Sequence, residues 1–84
     1  MIDDLTELET AASDVAAFWI AGDVGRMTEA LNRHGEPERT LTMGLALGRL
    51  SRLPDRQLFR AFLADVVNPH MRATGGHEYK VPIS

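Results

Sequence analysis

The chain contains no cysteine. Disulfide stapling, thiolate metal ligation and thiol redox chemistry are therefore excluded. It also lacks a long hydrophobic run. The longest is Val15 to Gly22, far short of the roughly 20 residues that span a bilayer. The start, MIDDLTELE, is acidic where an export signal would be basic, so a cytoplasmic location is the default expectation. No Gly-x-Ser-x-Gly elbow, P-loop or glycine-rich nucleotide fingerprint occurs. Gly22-x-x-Gly25 precedes a helix, but no strand leads into it. There is no internal repeat and no low-complexity segment.

What is present fits one small domain. The 84 residues are 44% hydrophobic and 25% charged, a globular and not a disordered composition. A chain of this size buries only about 60–65% of its unfolded surface. The net charge of −3 conceals a polarity. Residues 1–38 carry nine acidic side chains against Arg26 and Arg33, a balance of −7. Residues 39–84 carry seven basic side chains against Asp55, Asp65 and Glu78, a balance of +4. Such halves can attract within one fold or head-to-tail between copies, or can simply be solvated faces.

The periodicity predicts an all-α bundle of about four helices over residues 4–21, 24–34, 37–53 and 56–67. In the first, Leu5, Leu8, Ala12, Val15 and Trp19 recur at spacings of three and four, a seam for a neighbouring helix. Phe18 widens it, and Gly22 ends it. Asp23 is placed to cap the second helix and Gly35 to terminate it. That helix has a narrow apolar stripe of Val24, Met27, Ala30 and Leu31, with Glu29 and Arg33 set to pair at i,i+4. Glu36-Pro37-Glu38 suits the start of the third helix. Asp55 caps the fourth, whose buried face is Leu58, Phe59, Phe62, Leu63 and Val66. Asn68-Pro69 is expected to stop it, because the residue before proline is disfavoured in the α region.

The third helix, LTMGLALGRLSRL over residues 41–53, is central and nearly all-apolar. Leu41 and Leu45 form one row; Met43, Leu47 and Leu50 form another. Gly44, Gly48 and Ser51 lie between them. A helix apolar over most of its circumference belongs in an interior, wrapped here by the other helices, a second chain copy, or both. Each glycine costs about 1 kcal/mol relative to alanine. Close approach of another helix across the small strip is the expected compensation. The expected domain is residues 1–73. Residues 74–84 follow as a flexible or partner-docked tail in which Tyr79, Val81 and Ile83 alternate with polar or constrained residues.

Candidate chemistry is sparse. His34 suits a helix C-terminus, where a cation is mildly favoured. His70 and His77 lie across a proline and two glycines, unlike the rigid spacings of zinc ligands. Without cysteine, a nucleophile would have to be a serine, threonine or lysine, and none has an evident neighbouring base. No catalytic residue, cofactor or metal is expected.

The four arginines Arg49, Arg52, Arg56 and Arg60 bracket the Pro54 corner. They could grip phosphates, pair with the acidic first helix, or rim an apolar interface. Overall acidity, and aromatic residues at core positions away from the arginines, count against nucleic acid. A helix-turn-helix fares no better, since its recognition helix would be apolar. Trp19 with Phe18 is core or part of an oversized apolar patch.

The expectation is a non-enzymatic protein–protein interaction module, an adaptor, regulator or assembly subunit, self-associating most simply as a two-fold dimer. The contact residues expected are Trp19, Leu47, Leu50, Arg49, Arg52, Arg56 and Arg60. The rival is a helical protein that holds nucleic-acid phosphates through Arg49, Arg52, Arg56 and Arg60.

Overall fold

Asp4–Ala21 forms α1, and the way it ends sets the first corner. Gly22 adopts a left-handed φ of +79°, a conformation cheap only for glycine. The Gly22 N–H then donates to the Trp19 carbonyl and the Asp23 N–H to Phe18, at 3.1 and 2.9 Å, the paired bonds of a Schellman stop. Asp23 immediately caps α2 (Val24–Leu31), its carboxylate accepting from the Arg26 N–H. The structure, a computed structural model, describes residues 4–76 and 78, so the alternating Tyr79–Ile83 pattern lies outside the described residues.

Helix α2 buries Met27, Ala30 and Leu31 and stops there, three residues sooner than the sequence pattern suggests. Asn32, Arg33 and His34 offer nothing further to bury, and the chain turns. Arg33 does not pair with Glu29 as expected; it reaches α1 and meets Asp14 at 2.8 Å. Helix α3 spans Glu38–Leu50, and residues 51–53 form a turn instead of a last helical turn.

Asp55 caps α4 (Arg56–Phe62) by accepting from the Gln57 N–H. Asn68-Pro69 does not end this helix, contrary to the expectation from sequence. A π-turn over Leu63–Val67 leads directly into α5 (Asn68–Thr74). Asn68 keeps α-helical angles (φ −65°, ψ −41°), and its N–H donates to Leu63, five residues back. In a regular helix the Pro69 ring would meet the Asp65 carbonyl. The wider turn just upstream relieves that clash, so residues 56–74 run on as one rod.

The result is a small all-α bundle, with no strand among the described residues. Helix α1 packs along both α2 and α3, and each of α1 and α3 also touches α4. Helices α1 and α3 run in the same sense: Leu5 and Leu8 lie with Leu41 and Leu45 at one end, and Ala16 and Ile20 with Leu50 and Leu53 at the other. The α4–α5 rod returns against them. The core gathers Ala12, Val15 and Ala16 from α1, Met27, Ala30 and Leu31 from α2, Met43, Ala46 and Leu50 from α3, and Phe62, Leu63 and Val67 from the rod. The small residues Ala12, Ala16, Thr42 and Ala46 are all buried. They let the α1 and α3 backbones close on each other.

Candidate functional site

The two leucine rows of α3 meet different neighbours, and the strip between them meets none. Leu41 and Leu45 share an opening with Leu5 and Leu8 of α1. On its other lip lie Met43 and Leu47 with Val67 and Met71 of the rod. Gly44 forms its floor. The groove encloses about 360 Å³ and is lined almost wholly by apolar atoms, with Thr40 at one end. Leu5 is 63% exposed and Leu41 54%, unusual for large aliphatic side chains on adjoining helices. A side chain added at Gly44 or Gly48 would meet nothing within 4 Å. The close helix approach expected across the glycine strip is therefore absent among the described residues. It occurs instead on the opposite, alanine-bearing side of α3.

The opening continues along α3. Gly44, Leu45, Gly48, Arg49 and Arg52 line a second cleft with Glu9, and Arg49 and Arg52 border a third with Ala17, Ile20 and Leu53. Positions 41, 44, 45, 48 and 49 share one helical face, and Arg52 follows in the turn beyond it. The trough is thus apolar at the α5 end and basic toward the Pro54 corner, with one acid beside the two arginines.

The expected contact residues fall into different environments. Leu50 is fully buried, so it offers no surface to a partner. Trp19 is turned inward: its indole N–H donates to the Leu58 carbonyl at 3.0 Å, and its ring stands edge-on to Phe62 with centroids 5.4 Å apart. It fastens α1 to α4, the core reading of this residue. Leu47 is half-buried on the groove lip. Arg49 and Arg52 are exposed on the trough wall. Arg56 is occupied at the corner, its guanidinium donating to the Ser51 carbonyl and lying over the Phe59 ring at 4.9 Å. Arg60 is half-buried and already partnered. The structure does not assemble the four arginines into one phosphate-facing surface.

A polar cluster closes the Thr40 end. Glu36 accepts from the Thr40 hydroxyl at 2.6 Å and from the Thr40 N–H at 3.2 Å. His70 Nε2 lies 2.8 Å from the other Glu36 oxygen and 2.9 Å from the Thr40 hydroxyl. A carboxylate only accepts, so Nε2 carries the proton in this arrangement. The hydroxyl bond from Thr40 is the main influence holding the Glu36 carboxyl below its ordinary range. The Thr40 N–H, His70 and Arg39 add to it, and partial desolvation opposes it. With Nε2 protonated and the carboxylate already accepting the Thr40 proton, the imidazole is not placed to activate that hydroxyl. The cluster ties the start of α3 to α5. Sequence inspection missed it because its partners are 30 residues or more apart; both lie beside prolines, the one local sign that a chain corner was involved.

Among the described residues no three histidine, aspartate or glutamate side chains converge as metal ligands, and His77 lies outside them. His34 sits 3.8 Å from Glu7, a link between the end of the α2 turn and α1. No described helix is long and apolar enough to cross a membrane. Comparison with protein-family models, with curated proteins and with solved structures finds no match.

Proposed function

We propose that this chain is a protein–protein interaction module that pairs with a second copy of itself through the exposed stripe of α3. The observation that carries the reading is the open space over Gly44 and Gly48 beside a Leu41 that is more than half exposed. Two glycines allow two helices to approach closely, and the flanking leucines would then lose water on both copies. Charge supports the same occupant. Glu9 and the Arg49/Arg52 pair lie on the same trough, so a two-fold axis crossing the glycine strip would bring the acid of each copy toward the arginines of the other. Apolar side chains then supply affinity, and the arginines supply register and choice of partner.

Sedimentation across a concentration series tests this reading, with Leu41→Ser as the decisive variant. Full burial of a leucine is worth about 1.5–3 kcal/mol, so burying the exposed half of Leu41 contributes about 1–1.5 kcal/mol per copy. Two-fold symmetry doubles the loss to about 2–3 kcal/mol. The dissociation constant should rise roughly 30- to 150-fold. A wild-type chain that stays monomeric at high concentration overturns the proposal, as does a Leu41→Ser dimer of unchanged affinity. The nucleic-acid reading makes the opposite demand, steep log–log weakening of a complex with salt.

A further inference from the structure

The trough along α3 has the two ends of a small-molecule site, one apolar and one cationic. We propose that it binds a free, unbranched carboxylate of about ten to twelve carbons. The alkyl chain lies in the groove between Leu41 and Met71, and the carboxylate meets Arg49 and Arg52. The inference uses the same face of α3 as the pairing reading but does not rest on it.

Size and shape select the chain. The groove encloses about 360 Å³. A methylene needs about the room of one water in the liquid, about 30 Å³, so the space holds about twelve. Along α3, Leu41 and Arg49 are separated by about 12 Å, at a rise of about 1.5 Å per residue. An extended alkyl chain with bonds of about 1.5 Å advances about 1.3 Å per carbon, so about ten carbons cover that distance. Volume and length thus agree on one narrow chain. Gly44 keeps the path continuous. It borders both the apolar groove and the cleft that holds the arginines, and the space above it is open among the described residues.

Charge selects the head group and its direction. Arg49 and Arg52 are exposed, and neither guanidinium has a hydrogen bond or ion pair among the described residues. Glu9 is the one acid that lines their cleft. Two cations therefore face a single anion, and one added carboxylate balances them. A guanidinium suits that group because two of its N–H donors match the two oxygens. The opposite end of the groove repels the same head. Thr40 stands there in the grip of Glu36, whose charged form the Thr40 hydroxyl favours. An amphiphile of this build fits in one orientation. Because Leu41, Gly44 and Leu45 belong both to its path and to the pairing stripe, it and a second copy cannot occupy them together.

The test is calorimetric titration of the full chain with octanoate, decanoate and dodecanoate, each below its micelle concentration, at protein concentrations where sedimentation finds a monomer. Covering one methylene is worth about fourfold in affinity. Each two-carbon extension should therefore tighten binding about 4-fold if half its surface loses water and about 15-fold if all of it does. Tetradecanoate, too long for the groove, should gain little over dodecanoate. Decanol should bind about 2- to 5-fold more weakly than decanoate at low salt, the weight of an exposed ion pair, and decyltrimethylammonium more weakly again. Arg49→Gln with Arg52→Gln should erase the difference between acid and alcohol while leaving decanol binding as it was, a readout that altered packing would not give. Gly44→Leu, at an exposed position, should fill the floor and weaken the whole series about 15-fold or more, the value of two displaced methylenes. Affinity that does not climb with chain length overturns the proposal. So does a cationic head that binds as tightly as the carboxylate, or an acid–alcohol difference that survives the arginine variant. In sedimentation, decanoate at ten times its dissociation constant should weaken pairing about a hundredfold, because each copy must first release it. A dimer indifferent to bound decanoate overturns its placement in the groove. A wild type that stays monomeric while the titrations behave as stated supports the ligand site, and the pairing reading alone fails.

Discussion

Replacing Gly44 and Gly48 together by alanine should raise the stability of the monomer and weaken the dimer, two effects of opposite sign from one change. Neither glycine has a positive φ, so alanine fits the backbone of both. Neither has a neighbour among the described residues that an added Cβ would meet, so none of them resists the methyl groups. Each substitution should therefore return the full helix-propensity difference of about 1 kcal/mol, about 2 kcal/mol for the pair. For a domain of this size that corresponds to a rise in Tm of about 8–16 °C. Thermal and urea unfolding, followed by circular dichroism below the dimer dissociation constant, reads this directly, with an unchanged m-value expected. In the proposed dimer the same methyl groups would enter the closest part of the contact. Overpacking of that kind costs about 1–3 kcal/mol, so the dissociation constant should rise about 5- to 150-fold. A double variant that loses stability as a monomer refutes the open strip. One that gains stability but pairs as tightly as wild type refutes the strip as the contact.

Three further substitutions probe what holds the surface in place. Leu50→Ala, at a fully buried position, should cost about 2–5 kcal/mol in urea unfolding; a loss under about 1 kcal/mol would mean that the α3 core relaxes around the void. Trp19→Phe removes the indole bond to the Leu58 carbonyl and should cost about 1 kcal/mol. No change in midpoint would show that water replaces the bond. Glu36 is stabilised as a carboxylate in the fold, first by the Thr40 hydroxyl, so its folded pKa lies below the unfolded value of about 4.3. Its contribution is present above that value and is lost as pH falls through the lower folded one. The urea midpoint of the wild type should thus decline more between pH 5 and pH 3 than that of Glu36→Gln; parallel declines would refute the tie.

Much of the fold is legible in local pattern because its signals are local. Asp23 and Asp55 occupy the caps that their side chains demand, and Gly22 occupies the left-handed stop. The rod departs from the sequence expectation at Pro69 because the rule for the residue before proline describes a regular helix. The π-turn at Leu63–Val67 changes the premise, and no residue type announces such a turn. The partition of α3 into two leucine rows around a glycine strip is also visible in sequence. Which side of it faces outward is not, because that depends on where α1 and the rod settle. Leu50 and Trp19 looked like contact residues for the same reason: apolar width on a helix wheel does not distinguish a core wall from an interface.

The exposed faces of the other helices sharpen the argument about α3. Helix α1 turns Thr6, Glu7, Glu9, Thr10 and Ser13 outward along its length, and the rod turns out Arg56, Gln57, Asp65 and Arg72. Apart from Leu5 and Ile20 near the two ends of α1, these are the hydrated side chains that an outer helix face ordinarily carries. Helix α3 presents Leu41, Gly44 and Gly48 before its first exposed charge at Arg49. A lysine or glutamate at the two glycine positions would improve hydration and would gain helix propensity, and the open space over them shows that the core would not object. An isolated monomer is therefore worse in both respects than simple alternatives. That double cost has a physical rationale once another surface covers the strip, where a missing side chain becomes close contact and an exposed leucine becomes buried area. Stability against unfolding and affinity for the occupant are then in opposition at the same two positions, which is why the alanine pair separates them.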